Sequence, residues 1–458
     1  MRVLVCGAGQ VGYHIARTLA AEDNDVTVID QDEDLVQKIT RTLDVQGAVG
    51  HASHPDVLER AGAANADLLV AVTYADEVNM IACQVAHSLF EVPTKIARIR
   101  AQSYLNPTWA DLYARDRLPI DIIISPEIEV ARAIGRRLKV PGAFDMIPLA
   151  DDKVRLIGVR CEQDCPIVNT PLRQLTGLFP DLNIVVVGIV RGASAFAPSG
   201  DDAMLVGDEV YFVADTEHVA RALLLFGHDE SAHRRVVILG GGNIGLFLAQ
   251  ELEKGEAVVS AKIIEFNQAR AEFIAEHLGR TVVMHGDALD PDMLEQANIA
   301  TAEAVLAITN DDETNILASL LAKRAGAKRA VTLINKPTYS SLVTSLGIDV
   351  VVSPRAITVS TILQQVRRGR IRSVHSLREG FGEIIEAEAL ETSSLVNKPI
   401  RDAELPDGVI IGALVRGKQV IIPRADTVAR PGDRVVLFAT YSAIKSVEKI
   451  FSVRLEYF

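Results

Sequence analysis

The sequence predicts an α/β protein built from two copies of one unit, each a doubly wound parallel-sheet domain followed by a small α+β domain. Three observations carry that expectation. Strand-length apolar runs alternate with amphipathic helical stretches through the first part of each half. Two of those runs, "VLVCGAGQVG" at 3–12 and "VVILGGGNIG" at 236–245, end in the same glycine turn. A series of further matches recurs in the same order in both halves of the 458 residues, the signature of a tandem duplication.

The matches span both domains of the unit. Gly7, Gly9 and Gly12 correspond to Gly240, Gly242 and Gly245, and Asp30, closing "DVTVID", corresponds to Glu265, closing "AKIIE". "GHASHPDVL" at 50–58 pairs with "GDALDPDML" at 286–294, and "AVTYADEVNMIA" at 71–82 with "AITNDDETNILA" at 307–318. "IDIIISP" at 120–126 pairs with "IDVVVSP" at 348–354. Beyond these, "PIVNTPL" at 166–172 resembles "SLVNKPI" at 394–400, and "VGDEVYFVA" at 206–214 matches "PGDRVVLFA" at 431–439.

In the first copy, short β-rich apolar runs place strands at 2–6, 26–30, 45–49, 67–72, 95–99 and 121–124. "GYHIARTLAAE" from Gly12 and "DEVNMIACQVAHSLF" from Asp76 are among the helices between them. Such alternation indicates a parallel sheet covered on both faces. With a glycine turn after strand one, this is the Rossmann pattern. "SPEIEVARAIGRRL" at 125–138 opens on Ser-Pro, a favourable cap and first-turn pair. Its apolar residues Ile128, Ala131, Ile134 and Leu138 suit packing against a neighbour, and "SPRAITVSTILQQV" at 353–366 repeats the arrangement. Short strands, the turn signals "PGD" and "VRGK", and a closing helix ("TEHVARALLLF", "YSAIKSVEKIF") complete each unit as a small α+β domain. The expected organisation is a Rossmann-like domain at 1–140, a small domain at 141–227, a polar linker at 228–233, a second Rossmann-like domain at 234–372 and a second small domain at 373–458.

Bulk properties narrow the function. A net charge of −13 and a pI near 5.3 make direct binding to nucleic acid or anionic lipid unfavourable. No apolar run reaches the roughly 18 residues of a membrane span, and the chain enters a strand at once without a signal-peptide pattern. A cytoplasmic protein that does not insert into the membrane is expected. Four cysteines, Cys6, Cys83, Cys161 and Cys165, are expected to be reduced; the C-x3-C spacing of the last two lacks the second pair of a metal site.

The glycine turn gains weight from its context: it follows a strand, opens a helix and is succeeded by an acid at the end of strand two. Gly7 permits the tight turn, Gly9 lets the backbone approach a pyrophosphate, and Gly12 lets the helix lie close to the sheet. Amides at the helix start face the phosphates. Asp30 is placed to accept the ribose hydroxyls and to repel a 2′-phosphate, which favours NAD over NADP. Thr73 and Tyr74 follow strand four at the edge where such sheets bind ligands, in a stretch where Asp76 is an alternative helix cap. Arg98 and Arg100 end strand five, within reach of phosphate oxygens or out in solvent. His51 and His54 flank the strand-three exit in a loop read as solvated. The second copy keeps Gly240, Gly242, Gly245 and Glu265, and Thr309 and Asn310 stand opposite Thr73 and Tyr74. It carries Leu333 and Asn335 in place of the two arginines, so its phosphate-binding charge is expected to be missing. No Walker A motif, nucleophile elbow or H-E-x-x-H occurs, and no His, Lys or Tyr constellation fit for hydride transfer follows either Rossmann unit. Two nucleotide modules without reaction machinery indicate a regulator, not an enzyme; an NAD-dependent oxidoreductase is the alternative.

"MRVLVCGAGQVGYHIARTLA", "DVTVIDQD", "ARIRAQSY", "RRVVILGGGNIGLFLAQ" and the two closing domains together resemble the TrkA family, whose members are cytoplasmic NAD-binding subunits of bacterial Trk potassium-uptake systems. The resemblance covers almost the whole chain. It implies two tandem RCK modules (regulator of potassium conductance), each with an N and a C subdomain. It implies a soluble gating ring, a homotetramer, docked beneath a membrane subunit of the TrkH or TrkG type, with NAD(H), ATP and ADP as ligands. It also implies that Gly7, Ala8, Gly9, Gln10, Val11, Asp30, Thr73, Tyr74 and Arg98 form one nucleotide site, and that Gly240, Gly241, Gly242, Asn243, Ile244 and Glu265 belong to the other. An RCK-type regulator of a different channel or antiporter is the neighbouring reading.

Overall fold

The structure is a computed structural model that describes the chain except for residues 23, 141, 180–182, 193, 229–234, 256–258, 337, 340–341, 344–345, 367–370, 378–380 and 452–458. The expected linker, apart from His228, therefore lies outside the described residues.

In the first Rossmann-like domain the strands are β1 (Arg2–Cys6), β2 (Asp25–Asp30), β3 (Gln46–Val49), β4 (Leu68–Ala71), β5 (Thr94–Arg98) and β6 (Ile122–Ile124). They form one parallel sheet in the order β3-β2-β1-β4-β5-β6. Alternation of side chains across the pleat explains why β1 and β4 are apolar throughout. Val3, Val5, Leu68 and Val70 enter one core layer, and Leu4, Cys6, Leu69 and Ala71 enter the other. The second copy repeats this with β12 (Arg235–Leu239), β13 (Ser260–Glu265), β14 (Val282–His285), β15 (Ala304–Ala307), β16 (Ala330–Leu333) and β17 (Val350–Val352), in the order β14-β13-β12-β15-β16-β17. In both sheets the order reverses beside the first strand, leaving a crevice at the carboxyl ends where the glycine turns lie.

The small domains are five-stranded antiparallel sheets. The first orders β7 (Ala143–Leu149), β8 (Val154–Arg160), β9 (Ile184–Arg191), β10 (Ser194–Phe196) and β11 (Glu209–Asp215) as β10-β9-β11-β8-β7. The second orders β18 (Ile371–Leu377), β19 (Gly382–Glu388), β20 (Val409–Arg416), β21 (Gln419–Ile421) and β22 (Arg434–Thr440) as β18-β19-β22-β20-β21, the same topology. β18 begins at Ile371, slightly ahead of the boundary expected at 373.

The chain divides into two compact units. One contains both Rossmann-like domains (Met1–Ala133, Val237–Glu256 and Ala261–Val366), and the other contains both small domains. In the first unit, helix Pro354–Val366 of the second copy buries Ile362, Leu363 and Val366 among Val3, Val5, Ile15, Ala16 and Leu19 of the first. Full burial of each such aliphatic side chain contributes about 1.5–3 kcal/mol. In the second unit the two antiparallel sheets share a core of Leu156, Val187, Tyr211, Phe381, Ile384 and Phe438. Gly188 and Gly412 allow the close approach, because a Cβ on either would lie 2.8 Å from the Phe381 ring and 2.6 Å from Val213, respectively.

Candidate nucleotide-binding cleft

The glycines divide their work as strand–turn–helix geometry requires. Gly7 has φ +112°, and a Cβ there would lie 3.1 Å from the Val72 and Thr73 backbone. A Cβ on Gly12 would lie 1.8 Å from the Gly7 carbonyl oxygen, so only glycine lets the helix Gln10–Ala21 pack on the turn. A Cβ on Gly9 would meet nothing within 4 Å; that side of the turn is open. The second copy behaves alike: Gly240 has φ +112°, a Cβ on Gly245 would lie 2.2 Å from the Gly240 oxygen, and Gly242 is open. Neither helix, Gln10–Ala21 nor Asn243–Lys254, has a side-chain cap on its first-turn amides, which suits them to an anion.

Each acid at the end of strand two also braces its turn. Asp30 Oδ2 accepts from Ala8 N at 2.6 Å and its Oδ1 from Asp32 N at 3.0 Å. Glu265 Oε2 accepts from Gly241 N at 2.7 Å and its Oε1 from Asn267 N at 2.8 Å. An ionised carboxylate has about four acceptor sites, so each retains lone pairs for two ribose hydroxyls.

Across the crevice, a fully buried asparagine organises the strand-four exit. Asn79 Oδ1 accepts from Thr73 N at 2.8 Å and Thr73 Oγ1 at 2.7 Å, while its Nδ2 donates to the Thr73 and Arg98 carbonyls. Asn315 makes the same four bonds to Thr309 and Leu333. Both asparagines lie within the duplicated strings at 71–82 and 307–318, a signal that residue-type reasoning passed over. Asp76 is not the cap that was its alternative role. Its Oδ2 accepts from Arg100 N at 2.9 Å and Ala101 N at 2.7 Å, which ties the segment just after β5 to the helix Asp76–Phe90.

Arg98 donates through Nη2 to the Thr73 carbonyl at 2.7 Å, and its Nε is buried without a hydrogen-bond partner. Burial, then the neighbouring Arg100 charge, lowers the guanidinium pKa. A buried cation with an unused donor at the carboxyl edge of the sheet fits a phosphate oxygen. Arg100 instead pairs through Nε with Glu127 Oε1 at 2.8 Å. His51 lines the cleft, stacks on His54 with ring centroids 4.8 Å apart and shares a hydrogen bond with Ser53.

The second copy lacks the Arg98 charge, as expected, but carries another cation beside its turn. Leu333 does replace Arg98, but Arg270, at the start of helix Gln268–Glu276, lies over the glycine turn. Its Nε donates to the Gly241 carbonyl at 2.8 Å and its Nη2 to Asn243 Oδ1 at 3.0 Å. The corresponding residue in the first copy is Leu35, so comparison of the repeats at strand five alone did not reveal the relocated cation.

Gly7, Gly9, Gln10, Val11, Gly12, Asp30, Thr73, Tyr74 and Arg98 line one continuous cleft of about 1430 Å³ together with Gly240, Gly242, Asn243, Ile244, Glu265, Thr309 and Asn310. Ala8, Gly241 and Gly245 are not among its lining residues; the first two act through the amides that bind Asp30 and Glu265. Arg270 and the helix-start residues Glu127 and Arg355 line it as well. Among the described residues there is no cluster of metal-ligating side chains and no helix long and apolar enough to cross a membrane.

The chain matches the TrkA-N domain family over residues 3–126 and 236–354 and the TrkA-C domain family over 150–227 and 384–452. It is 54% identical over 458 residues, all of both chains, to the Trk system potassium uptake protein TrkA of Azorhizobium caulinodans. It is 44% identical over 462 residues, again all of both, to that of Halomonas elongata. A TrkA homolog of Methanosarcina mazei is 35% identical over 457 residues, covering 98% of this chain and 100% of that one. Among solved structures, the GsuK RCK domain superposes with a TM-score of 0.60 at 19% identity over 99% of this chain and 95% of that one. The GsuK channel bound to NAD gives 0.57 at 18% identity over 99% and 79%.

Proposed function

The chain belongs to the TrkA family of Trk potassium-uptake proteins, and from that premise we propose that it is the nucleotide-sensing cytoplasmic subunit of such a system. The observation that carries the proposal is that Arg98, whose buried Nε has no hydrogen-bond partner, lines the same cleft as a glycine turn whose first helical amides have no side-chain cap. NAD(H), ATP and ADP all present an adenosine to Asp30 and a phosphate chain to that turn and to Arg98. The second site offers the same acid and turn through Glu265 and Gly240–Gly245, with Arg270 as its cation. The GsuK channel, of the same fold, is described bound to NAD, which supports this ligand class.

In this reading binding is converted into movement, not bond-making. Phosphates held at the start of the helix Gln10–Ala21 fix the helix against which Ile362 and Leu363 of the second copy pack. Ligand-dependent repositioning would pass to a homotetrameric ring and so to a membrane subunit of the TrkH or TrkG type, leaving the protein peripheral on the cytoplasmic face. A ligand shifts such an equilibrium only by its difference in affinity for the two arrangements. The test is calorimetric titration of the full chain with NAD, NADH, ATP and ADP, with potassium flux through the reconstituted system followed in parallel. Saturable binding and a nucleotide-dependent flux, both lost in Asp30→Ala, are expected; an Asp30→Ala protein with an unchanged nucleotide response refutes the reading.

A further inference from the structure

The two most exposed large apolar side chains among the described residues, Tyr74 at 87% and Phe266 at 75%, both stand in the wall of the nucleotide cleft. Exposed rings of this size are uncommon on a folded chain and mark a surface that something covers. In a concave wall beside a phosphate-binding turn, a flat aromatic face offers stacking to a nucleoside ring. Each ring occurs in one copy of the repeat only: Asn310 stands where the first copy has Tyr74, and Gln31 where the second has Phe266.

The two rings also lie on opposite sides of their glycine turns. A doubly wound sheet holds a dinucleotide across the crevice, with the adenosine ribose on the strand-two acid and the other nucleoside over the second half of the sheet. Phe266 directly follows Glu265 at the end of β13, on the adenosine side. Its carbonyl accepts from His285 Nε2 at 3.1 Å, which fixes that position to the end of β14. Tyr74 follows β4, on the other side. The cations divide in the same way. Arg98 ends β5 on the side of Tyr74, and the second copy has Leu333 there. Arg270, four residues past Phe266, braces the turn from the side of β13, and the first copy has Leu35 there. The first copy thus equips the far half of its crevice with a ring and a cation. The second equips the adenosine half with both and leaves the far half to Asn310 and Leu333.

We propose that the two sites are specialised for different ligands: the first for a dinucleotide of the NAD type, whose second nucleoside ring stacks on Tyr74, and the second for an adenine mononucleotide such as ADP, whose base stacks on Phe266. The assignment rests on the nucleotide-binding reading above and deepens it. ADP in the first site engages Asp30 and the turn but leaves Tyr74 uncovered. NAD in the second site gains the Phe266 stack through its adenine, but its far nucleoside meets neither a ring nor a cation and adds nothing over ADP. The sites therefore differ in the ratio of their NAD and ADP affinities, and Tyr74 and Phe266 are the residues that set it.

The test titrates the full chain with NAD and, separately, with ADP by calorimetry, in the wild type and in Tyr74→Ala, Tyr74→Phe, Phe266→Ala and Asn310→Tyr. Each wild-type titration should resolve a tighter and a weaker phase. Tyr74→Ala should weaken the tighter NAD phase by about 5- to 150-fold, the range for loss of one ring-on-base stack, and leave both ADP phases unchanged. Tyr74→Phe, which keeps the ring, should bind as the wild type does. Phe266→Ala should weaken the tighter ADP phase by a similar factor and leave the tighter NAD phase unchanged. Asn310→Tyr, which installs the first copy's residue, should tighten the weaker NAD phase. Both rings are exposed, so their removal takes nothing from the core. Undiminished NAD affinity in Tyr74→Ala, equal loss of NAD and ADP affinity there, or undiminished ADP affinity in Phe266→Ala overturns the assignment while nucleotide binding itself stands. Absence of saturable binding of either nucleotide to the wild type refutes the nucleotide reading, and this assignment with it.

Discussion

Arg98 and Arg270 both bring a guanidinium to the cleft, from different positions in the repeat. Arg98 reaches its site from strand five, buried and with an unused Nε. Arg270 reaches the other from a helix start, braced on the Gly241 carbonyl and Asn243. A hydrogen bond to a charged group contributes about 1.5–3 kcal/mol, so Arg98→Ala should weaken nucleotide binding at the first site by roughly 10- to 150-fold. Arg270→Ala should do the same at the second site only. Calorimetry that resolves two classes of site checks both; an Arg270→Ala protein with both affinities unchanged would remove that residue from the site. The glycines and the acid of each site were legible in the sequence because strand, turn and acid lie within one local stretch, where spacing constrains geometry. Arg270 was not, since a side chain that folds back over a turn leaves no periodic trace. The roles of Asn79 and Asp76 were equally hidden: Asn79 bonds to the end of β5, 19 residues on, and Asp76 to the segment just after it.

At the scale of elements, alternating apolar strands and helices predicted the first Rossmann sheet nearly strand for strand, because a parallel sheet buried on both faces needs such a pattern, and the internal repeat extended the expectation to the second. The apolar face of 353–366 was legible too, but periodicity identifies a face and not the partner that covers it. The structure supplies the partner, and Ile362 of the second copy is fully buried in the core of the first. Ile362→Ala should therefore cost about 2–5 kcal/mol and destabilise the first Rossmann-like domain; hydrogen exchange should locate the loss on β1 and the helix Gln10–Ala21. Protection lost only within 234–366 would contradict the shared core. A second element prediction concerns Glu253, at the end of helix Asn243–Lys254. Burial alone would raise its pKa, but amide donation from Gly279, Arg280 and Thr281, with the Thr281 hydroxyl, brings it down to about 2. A carboxylate depressed on folding stabilises above its unfolded value near 4.5 and loses that contribution as pH falls toward 2. Glu253→Gln should lower stability at neutral pH and flatten its pH dependence across that acid window in urea titrations. An unaltered slope would mean that the loop before β14 is not held by this charge.

For the whole molecule, the decisive feature is that both glycine turns, the two proposed nucleotide sites, line one cleft within one compact unit. Helix Pro354–Val366 starts at that cleft with Pro354, Arg355 and Thr358 and ends in the core behind the first site. Two polyanionic ligands in one cavity also sense each other's charge through a medium less screening than bulk water. Occupancy of either site should therefore change the affinity of the other, and linkage requires the change to be equal in both directions. Allosteric coupling free energies are typically about 1–3 kcal/mol, a change of roughly 5- to 150-fold. The measurement compares ADP affinity at the second site in the wild type, with the first site saturated, against Asp30→Ala, where the first site is disabled. The reciprocal comparison uses Glu265→Ala. The charge contribution should shrink as salt rises and the Debye length contracts, whereas the part carried by the helix should persist and fall in Ile362→Ala. Identical second-site affinities in the wild type and Asp30→Ala at low salt would show that the shared cleft transmits nothing, and that the duplication supplies two independent sensors.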